Sequence, residues 1–352
     1  MKYSFYPTKD ATIYSISGSM NTGLDEILEI SKTRNSDINY FGRALLKWDW
    51  AAASQSLAAL PSFEASASAA EYKLKLFTTK AQNIRYSYKI VSSNLTQDWD
   101  MGIGKANSTP ITDEGVSWGF RTESGSDAWT LVGGTTGSAA TDNVQSFEYE
   151  TTDINLLISS SIQEWENTPA NNHGLSLHFT SSQEADTKSY GTIKFFSRDT
   201  NTIYTPRIEV SWDDSIFSTG SLEAQSADEI VVYIKNNKFE YKEDSKVRFQ
   251  VRARDVYPSA SYASTHEALV NYYLPSTSYY SIKDAETEET IIDFNTSFTK
   301  LSCTSSGNFF DLYMNGLTAE RMYKVLFRVD DRTFTGQREY FDNNHLFKIV
   351  RW

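Results

Sequence analysis

Strict alternation of apolar and polar residues is the feature that most limits the fold of this chain. In residues 246–256, KVRFQVRARDV, the side chains of Val247, Phe249, Val251 and Ala253 alternate with Arg248, Gln250, Arg252 and Arg254. In YKLKLF, residues 72–77, Leu74 and Leu76 alternate with Lys73 and Lys75. A period of two places one set of side chains on each face of an extended strand, so these segments predict sheets with one wet face. Residues 11–14, 27–30, 44–48 and 84–90 are further short runs rich in β-branched, aromatic or alternating apolar residues, separated by Gly, Asn, Ser and Asp. The alanine-rich stretch 51–70, AAASQSLAALPSFEASASAA, reads as a long loop with at most one helical turn before Pro61.

Composition agrees with a β-rich chain. Aromatic residues make up 14% of it, 21 Tyr and 20 Phe among them, and such side chains suit a half-buried pleated surface. The 352 residues exceed the roughly 250–300 at which one core stops growing, which predicts two domains. A net charge of −12 without a Lys/Arg-rich run repels phosphate backbones, so nucleic acid is excluded as a partner. The single cysteine, Cys303, rules out an intrachain disulfide and any CxxC metal site, and reads as a small buried apolar residue. No apolar run of about 18 residues is present, so no membrane insertion is expected. The segment MKYSFYPTKDATIY lacks the apolar core of a secretory signal.

The stretch 160–179, SSIQEWENTPANNHGLSLHF, concentrates two glutamates and two histidines and is the first place to look for chemistry. Ile154, Leu157, Ile158, Ile162 and Trp165 recur at helical spacing, which predicts one amphipathic helix over 153–165 with Thr152 or Asp153 as its cap. At 100° per residue, Glu164 and Glu166 then lie roughly 160° apart on opposite flanks. They do not form the facing carboxyl pair, about 5 to 10 Å apart, that a glycosidase needs. In the following GLSLHF strand, Leu175, Leu177 and Phe179 share one face, which puts His178 beside Ser176 on the other, in a solvated or incidentally hydrogen-bonded role, with His173 in the preceding loop. His266 and His345 are distant, and none of the four histidines adjoins a GxSxG or HExxH motif.

These segments carry a resemblance. DINLLISSSIQEW with Trp165, the Asn171–Asn172 turn, Gly174 to Leu177, Phe196 to Asp199 and Pro206 to Val210 resemble the C-terminal half of a DNRLRE-type domain. In the same order upstream stand DATIYS from Asp10, NTG at 21–23, ILEI from Ile27, RALLKWD from Arg43, YKLKLF from Tyr72, and VSW from Val116 after Trp99. The resemblance spans residues 1–214 and implies a jelly-roll-like β-sandwich without catalytic residues. The family's signature acid is Asp199 here, and Arg198 and Asp199 are expected to make structural hydrogen bonds at a sheet edge. Some sandwiches of this kind hold a structural Ca²⁺; Asp10, Asp25 and Glu26 near Asn21 are the candidates, with surface charge as the alternative reading.

Residues 215–228 read as a linker, and 229–352 as a second sandwich. There Tyr323 follows Leu317 and opens an alternating strand with Val325, Phe327 and Val329. It resembles the tyrosine corner of immunoglobulin-like and fibronectin type III domains, whose phenol bonds back to upstream backbone. The basic face of Arg248, Arg252 and Arg254 either docks an acidic neighbour or pairs with the acidic run KDAETEETIID of the same domain.

The expected fold class is therefore all-β: a jelly-roll-like β-sandwich with one short helix, followed by an Ig-like β-sandwich. The segments YYSIKDAETEETIIDF and FFDLYMNGL are also similar to structural proteins of tailed bacteriophages. That resemblance implies a non-enzymatic virion protein of tail, baseplate, collar or capsid surface. Such a protein is assembled in the host cytoplasm and is a homo-oligomer that contacts other virion proteins and has no cofactor beyond a possible Ca²⁺. The alternative is a phage-fibre adhesion module that binds a host surface glycan, with Trp118, Trp129 or Tyr190 as stacking platforms.

Overall fold

The computed structural model describes residues 1–64, 67–111, 114–122, 126–137, 143–226, 229–257, 270–330 and 337–351. His266 and parts of the 122–142 loop lie outside them. The chain divides into two compact units. The N-terminal unit is Ser4–Ala59 with Glu71–Val210, and the C-terminal unit is Met1–Tyr3, Leu60–Ala70 and Ser211–Trp352. Strands, mostly paired antiparallel, are the main regular element of both, as the alternation requires.

In chain order the N-terminal unit is built from β1 (Lys2–Phe5), β2 (Lys9–Tyr14), β3 (Ile27–Asn35), β4 (Ile38–Lys47), α1 (Trp50–Ala58), α2 (Pro61–Glu64), β5 (Glu71–Leu76), β6 (Tyr88–Asn94), β7 (Val144–Phe147), β8 (Ile154–Leu157), α3 (Ser159–Asn167), β9 (Leu175–Phe179), α4 (Ser181–Ala185), β10 (Gly191–Phe196) and β11 (Arg207–Ser211), of which α2 and the ends of β1 and β11 fall in the other unit. One sheet runs β1-β11-β5-β8, and a second runs β10-β3-β4-β9-β6-β7 with β2 also paired to β4. β4 is the spine of the larger sheet: its first half pairs with β3, and its second half lies between β2 and β9. Ala44, Leu45 and Leu46 are accordingly sealed from solvent.

Three local expectations are corrected. Residues 50–58 are not loop but helix α1, because Asp49 caps it by accepting the Ala52 amide at 3.1 Å and because Trp50, Ala53 and Leu57 form a buried stripe. Residues 154–157 are not the start of a helix. They form strand β8 on β5, with Ile154 opposite Leu76 and Leu156 opposite Leu74, and α3 begins only at Ser159. INLLI fits both periodicities, and Ile154, Leu156 and Ile158, two apart, are the residues buried. In β9 all five residues are buried, because this strand lies inside the larger sheet between β4 and β6. His178 is therefore interior, not solvated.

The C-terminal unit comprises β12 (Glu223–Ala224), β13 (Ile230–Ile234), β14 (Glu240–Lys242), β15 (Lys246–Asp255), β16 (Tyr272–Tyr273), β17 (Ser278–Asp284), β18 (Thr290–Ile292), β19 (Ser302–Thr304), β20 (Gly307–Tyr313), β21 (Met322–Asp330) and β22 (Arg338–Val350). Its two main sheets run β13-β15-β20-β19 and β14-β22-β21-β17-β18. Their shared core is aromatic. Phe310 stacks on Phe249 at 4.9 Å and on Tyr280 at 4.3 Å, and Phe347 meets Phe249, Tyr241 and Tyr323. The segment expected to be a linker is already part of this unit at Ile216–Ser218, where Cys303 donates its amide to the Ile216 carbonyl and accepts the Ser218 amide. Tyr323 is 1% exposed, and its hydroxyl donates to the Thr318 carbonyl at 2.8 Å, which is the backward bond of a tyrosine corner.

Two predictions follow from local geometry. Ser36 and Asp37 form the two-residue turn between β3 and β4, and both hold left-handed φ, 47° and 67°. Replacing them with Asn-Gly should stabilise the chain by about 0.5–1 kcal/mol, read as a rise in Tm; an unchanged or lower Tm contradicts the strain argument. Tyr323→Phe keeps the ring but strands the Thr318 carbonyl, and should cost about 1–2 kcal/mol in denaturant unfolding.

Candidate functional site

The calcium candidates do not converge. Asp10 is 1% exposed, and its Oδ2 accepts the Arg198 amide at 2.6 Å. Asp25 accepts the Ala106 amide at 3.1 Å, and with Glu26 it lines a groove that Asp10 does not reach. No group of three acidic, His or Cys side chains with metal-holding geometry exists among the described residues. The loop cross-link that such a cation would provide is made by Asn21. Its Nδ2 donates to the Met101 carbonyl at 2.8 Å and the Val116 carbonyl at 2.7 Å, while Oδ1 accepts from Gly104 at 2.7 Å and Gly23 at 3.2 Å. All four hydrogen-bonding positions of the amide are filled. Only glycine fits around it: a Cβ at Gly102, Gly104 or Gly115 would lie within 2.7 Å of an Asn21 atom.

Arg198 makes structural bonds, as expected, whereas at Asp199 the backbone amide does so and the carboxylate Oδ2 has no hydrogen-bond partner among the described residues. The Arg198 guanidinium donates to the Thr8 carbonyl, and the Asp199 amide donates to Ser197 Oγ.

One arrangement that the sequence does not reveal looks catalytic. Ser93 on β6 lies 3.2 Å from His178 Nε2, and Glu184 lies 3.9 Å from His178 Nδ1. The bonding pattern says otherwise. Nδ1 is 2.7 Å from the Phe179 carbonyl, which can only accept, so Nδ1 carries the proton and Nε2 accepts from Ser93. Glu184 is held by Arg43 through Nε at 3.1 Å and Nη2 at 2.6 Å. Burial, and then the Arg43 charge, pull the His178 pKa down to about 4, so the imidazole is neutral. Ser93 is 2% exposed and His178 8%, so the group is a buried polar network and not a nucleophile facing solvent.

The proposed stacking platforms are largely interior. The indole of Trp129 donates to the Ser117 carbonyl at 3.0 Å, and Tyr190 donates to Asp186 and stacks on Phe179; both are buried. Trp118 is half-buried, stacked on Phe41 with the Arg43 guanidinium 5.2 Å from its ring. Burial of Trp129 and Tyr190 removes those two as stacking faces, and Trp118 is half-buried. The arginine stripe is exposed but partly paired: Arg248 makes a two-pronged pair with Asp311 on the adjacent strand, at 2.8 and 3.0 Å. The acidic run is not its partner, since Asp284 holds Arg321 and Glu288 lies near Lys283 and Lys324. Arg254 donates to the Asp255 carbonyl, and Arg252 lies opposite Tyr233 in the β13–β15 ladder.

A cavity of the N-terminal unit lies elsewhere, between the start of α1 and the end of α3. It measures about 390 Å³, and Lys47, Asp49, Trp50, Trp165, Glu166 and Asn172 contribute to its wall. Trp50 meets Phe5 and Tyr72 edge-on and tilts against Trp165 at 6.3 Å. The Nε1 atoms of Trp50 and Trp165 and the Oδ1 of Asn172 are buried and have no hydrogen-bond partner among the described residues. Burial raises the Glu166 carboxyl above its usual range; the nearby Trp50 indole favours the charged form, but its N–H makes no bond of acceptable geometry. Glu164 points its chemistry elsewhere, bonding Asn94 and Asn171, so the two glutamates stay apart. The sequence gave no sign of the cavity, because residues 51–70 read as a loop and not as the helix α1 that forms part of its wall.

No known family model matches the chain, and no curated protein matches it.

Asp10 generates a pH prediction. Burial, opposed by the Arg198 amide, raises its carboxyl to about 7 from an ordinary value near 3.8. The folded chain therefore keeps a proton between those values that the unfolded chain has released, so this contribution to stability is complete below about pH 4 and is lost as pH rises through 7. Asp10→Asn, which can still accept the Arg198 amide, should exceed the parent in stability at pH 8 by on the order of 2 kcal/mol and match it at pH 4. Urea unfolding at the two pH values measures the gap, and equal stability at pH 8 refutes the assignment.

Proposed function

We propose that the chain is a non-enzymatic structural component of a tailed-bacteriophage virion, placed on the tail, baseplate, collar or capsid surface and acting through protein–protein contacts. The observation that carries this reading is the contrast between interior and surface. Side chains of the kinds that do chemistry, Ser93, His178, Glu184 and Asp10, are occupied by internal bonds. Large apolar side chains stand on the outside of both units: Ile16, Ile111, Leu131 and Val132 in one, and Phe239, Tyr257 and Tyr340 in the other, each more than half exposed.

Part of this apolar surface is organised. Ile16, Met20, Leu24 and Ile27 line a groove of about 590 Å³ whose rim carries Glu29 and Lys194. Glu29 accepts the Tyr14 hydroxyl at 2.9 Å and pairs with Lys194 at 2.6 Å, while Asp25, Glu26 and Lys105 also line the groove. Apolar side chains interspersed with charged ones are the mixed surface of a protein contact. The ordered motifs shared with DNRLRE-type domains and the similarity to phage structural proteins supply the setting. Other virion proteins, further copies of this chain included, are the partners in this reading.

Mass spectrometry of gradient-purified particles tests it. The chain should be recovered as a stoichiometric component that resists high-salt washing; particles that lack it would refute the proposal.

A further inference from the structure

We propose that the arginine face of β15 is a docking surface for a second copy of this chain, and that it receives the acidic turn between β17 and β18. The fold keeps these two features apart within one chain, since the stripe belongs to the sheet β13-β15-β20-β19 and the turn to the sheet β14-β22-β21-β17-β18. The pairing that their charges call for is then made between copies.

The stripe carries more positive charge than its own sheet neutralises. Lys246, Arg248, Arg252 and Arg254 share one face of β15. From β20, Asp311 faces them opposite Arg248, and it is shared by Arg248 at 2.8 Å and Lys246 at 3.2 Å. Arg254 donates to the Asp255 carbonyl and not to the Asp255 carboxylate, which Gln225 holds at 2.7 Å. Arg252 makes no hydrogen bond or ion pair among the described residues. Aromatic rings lie among these cations. The Arg248 guanidinium is 4.0 Å from the Phe309 ring, the Lys246 ammonium is 5.2 Å from that of Tyr313, and Tyr233 stands opposite Arg252 on β13. Arg and Tyr are residues that protein interfaces concentrate.

The turn is acidic, exposed and already shaped. The Asp284 carboxylate accepts the Glu286 and Thr287 amides, both at 3.0 Å, and the Asp284 carbonyl accepts the Glu288 amide at 3.1 Å. Glu286, Glu288 and Glu289 stand in solvent around this frame. The cations nearby are engaged: Arg321 with Asp284, and Lys324 with Asp342 at 2.7 Å, while Lys283 and Lys324 lie 3.7 and 3.8 Å from Glu288. Glu286 and Glu289 make no ion pair among the described residues. Two carboxylates on a preformed turn thus match two guanidinium groups two residues apart on a strand. Guanidinium and carboxylate pair through two parallel hydrogen bonds, and a turn that is already ordered keeps the entropic cost of docking down. The partner is a second copy because both halves of the contact are present on this one chain. The inference deepens the reading above and rests on it in taking protein contacts as what the chain does.

Sedimentation velocity of the purified full chain tests the contact. The chain should self-associate with a Kd of about 100 µM or tighter at low salt. It should dissociate as salt rises from about 10 mM to about 1 M, because the reach of exposed charges falls from about 30 Å to about 3 Å. Arg252→Glu with Arg254→Glu, and separately Glu286→Arg with Glu289→Arg, should each weaken association about tenfold or more with the Tm of the parent. An equimolar mixture of the two variants should associate again, because acid then faces base across the contact. The inference is overturned if the parent is monomeric at low salt, if either variant associates as the parent does, or if the mixture fails to associate. A monomeric chain that is still recovered from purified particles would overturn this contact and leave the virion reading standing, and a self-associating chain absent from particles would do the reverse.

Discussion

Burial of the central strands on both faces is the constraint from which the rest of the N-terminal unit follows. A strand such as β9, with every residue buried, has no wet side on which to leave a polar group, and an unpaired polar group in such a place costs several kcal/mol. The Ser176 hydroxyl is left without a partner among the described residues, and the larger polar side chains are held within the fold. His178 takes one from a backbone carbonyl and one from Ser93. Lys32, fully buried on β3, donates to the Gln183 and Asp186 carbonyls and to the Asp186 carboxylate. The Lys32 bonds tie β3 to the short helix α4 and the turn after it, and the His178–Ser93 bond ties β9 to β6. The same residues that suggest a reactive cluster when read as types are thereby fixed in the roles of struts.

The sequence was most legible where one periodicity dominated. KVRFQVRARDV and YKLKLF became strands, and the phenol of Tyr323 bonds to Thr318, as its position after Leu317 implied. It was least legible where two signals overlapped. INLLI satisfies both helical and strand spacing, and its pairing with β5, a contact far away in sequence, decided the outcome. The alanines of 51–58 looked like low complexity, although alanine is the best helix former and Asp49 stood ready as a cap. His178 was misplaced because alternation assigns a face but not its exposure; the far face is covered by Arg43 and Glu184, which no local pattern announces. Asn21 was noticed as part of a motif, but its four bonds reach residues 80 or more positions away in three cases and could not be read locally.

The unpaired indoles at α1 and α3 follow from a competition of magnitudes. Burying a tryptophan removes about 150–250 Å² from water, which at about 25 cal/mol per Å² contributes roughly 4–6 kcal/mol. An indole N–H left without a partner costs about 1–3 kcal/mol. Where shape and hydrogen bonding disagree, packing against Phe5, Tyr72 and the other tryptophan therefore sets the ring orientation, and the N–H points where it must. Trp48 and Trp99 show the other outcome, since their indoles reach the Phe5 and His173 carbonyls without leaving the core. Packing thus outweighs hydrogen bonding at Trp50 and Trp165.

The C-terminal unit solves a different problem, that of an open sheet edge. β13 ends its sheet, and the backbone groups along its outer side would be a template for another chain. The long strand β22 covers them with side chains instead of a ladder: Asn343 Nδ2 donates to the Val232 carbonyl at 2.5 Å, and His345 Nε2 accepts the Ile234 amide at 3.2 Å. Val232 and Ile234 are two apart, so both bonds fall on the same edge. The acceptor role requires a neutral imidazole, and burial keeps it so by lowering its pKa. Because β22 also pairs with β21 and with β14, these two bonds fasten the end of one sheet to a strand of the other. The corner is closed by an amide and a histidine where a ladder would have needed one more strand.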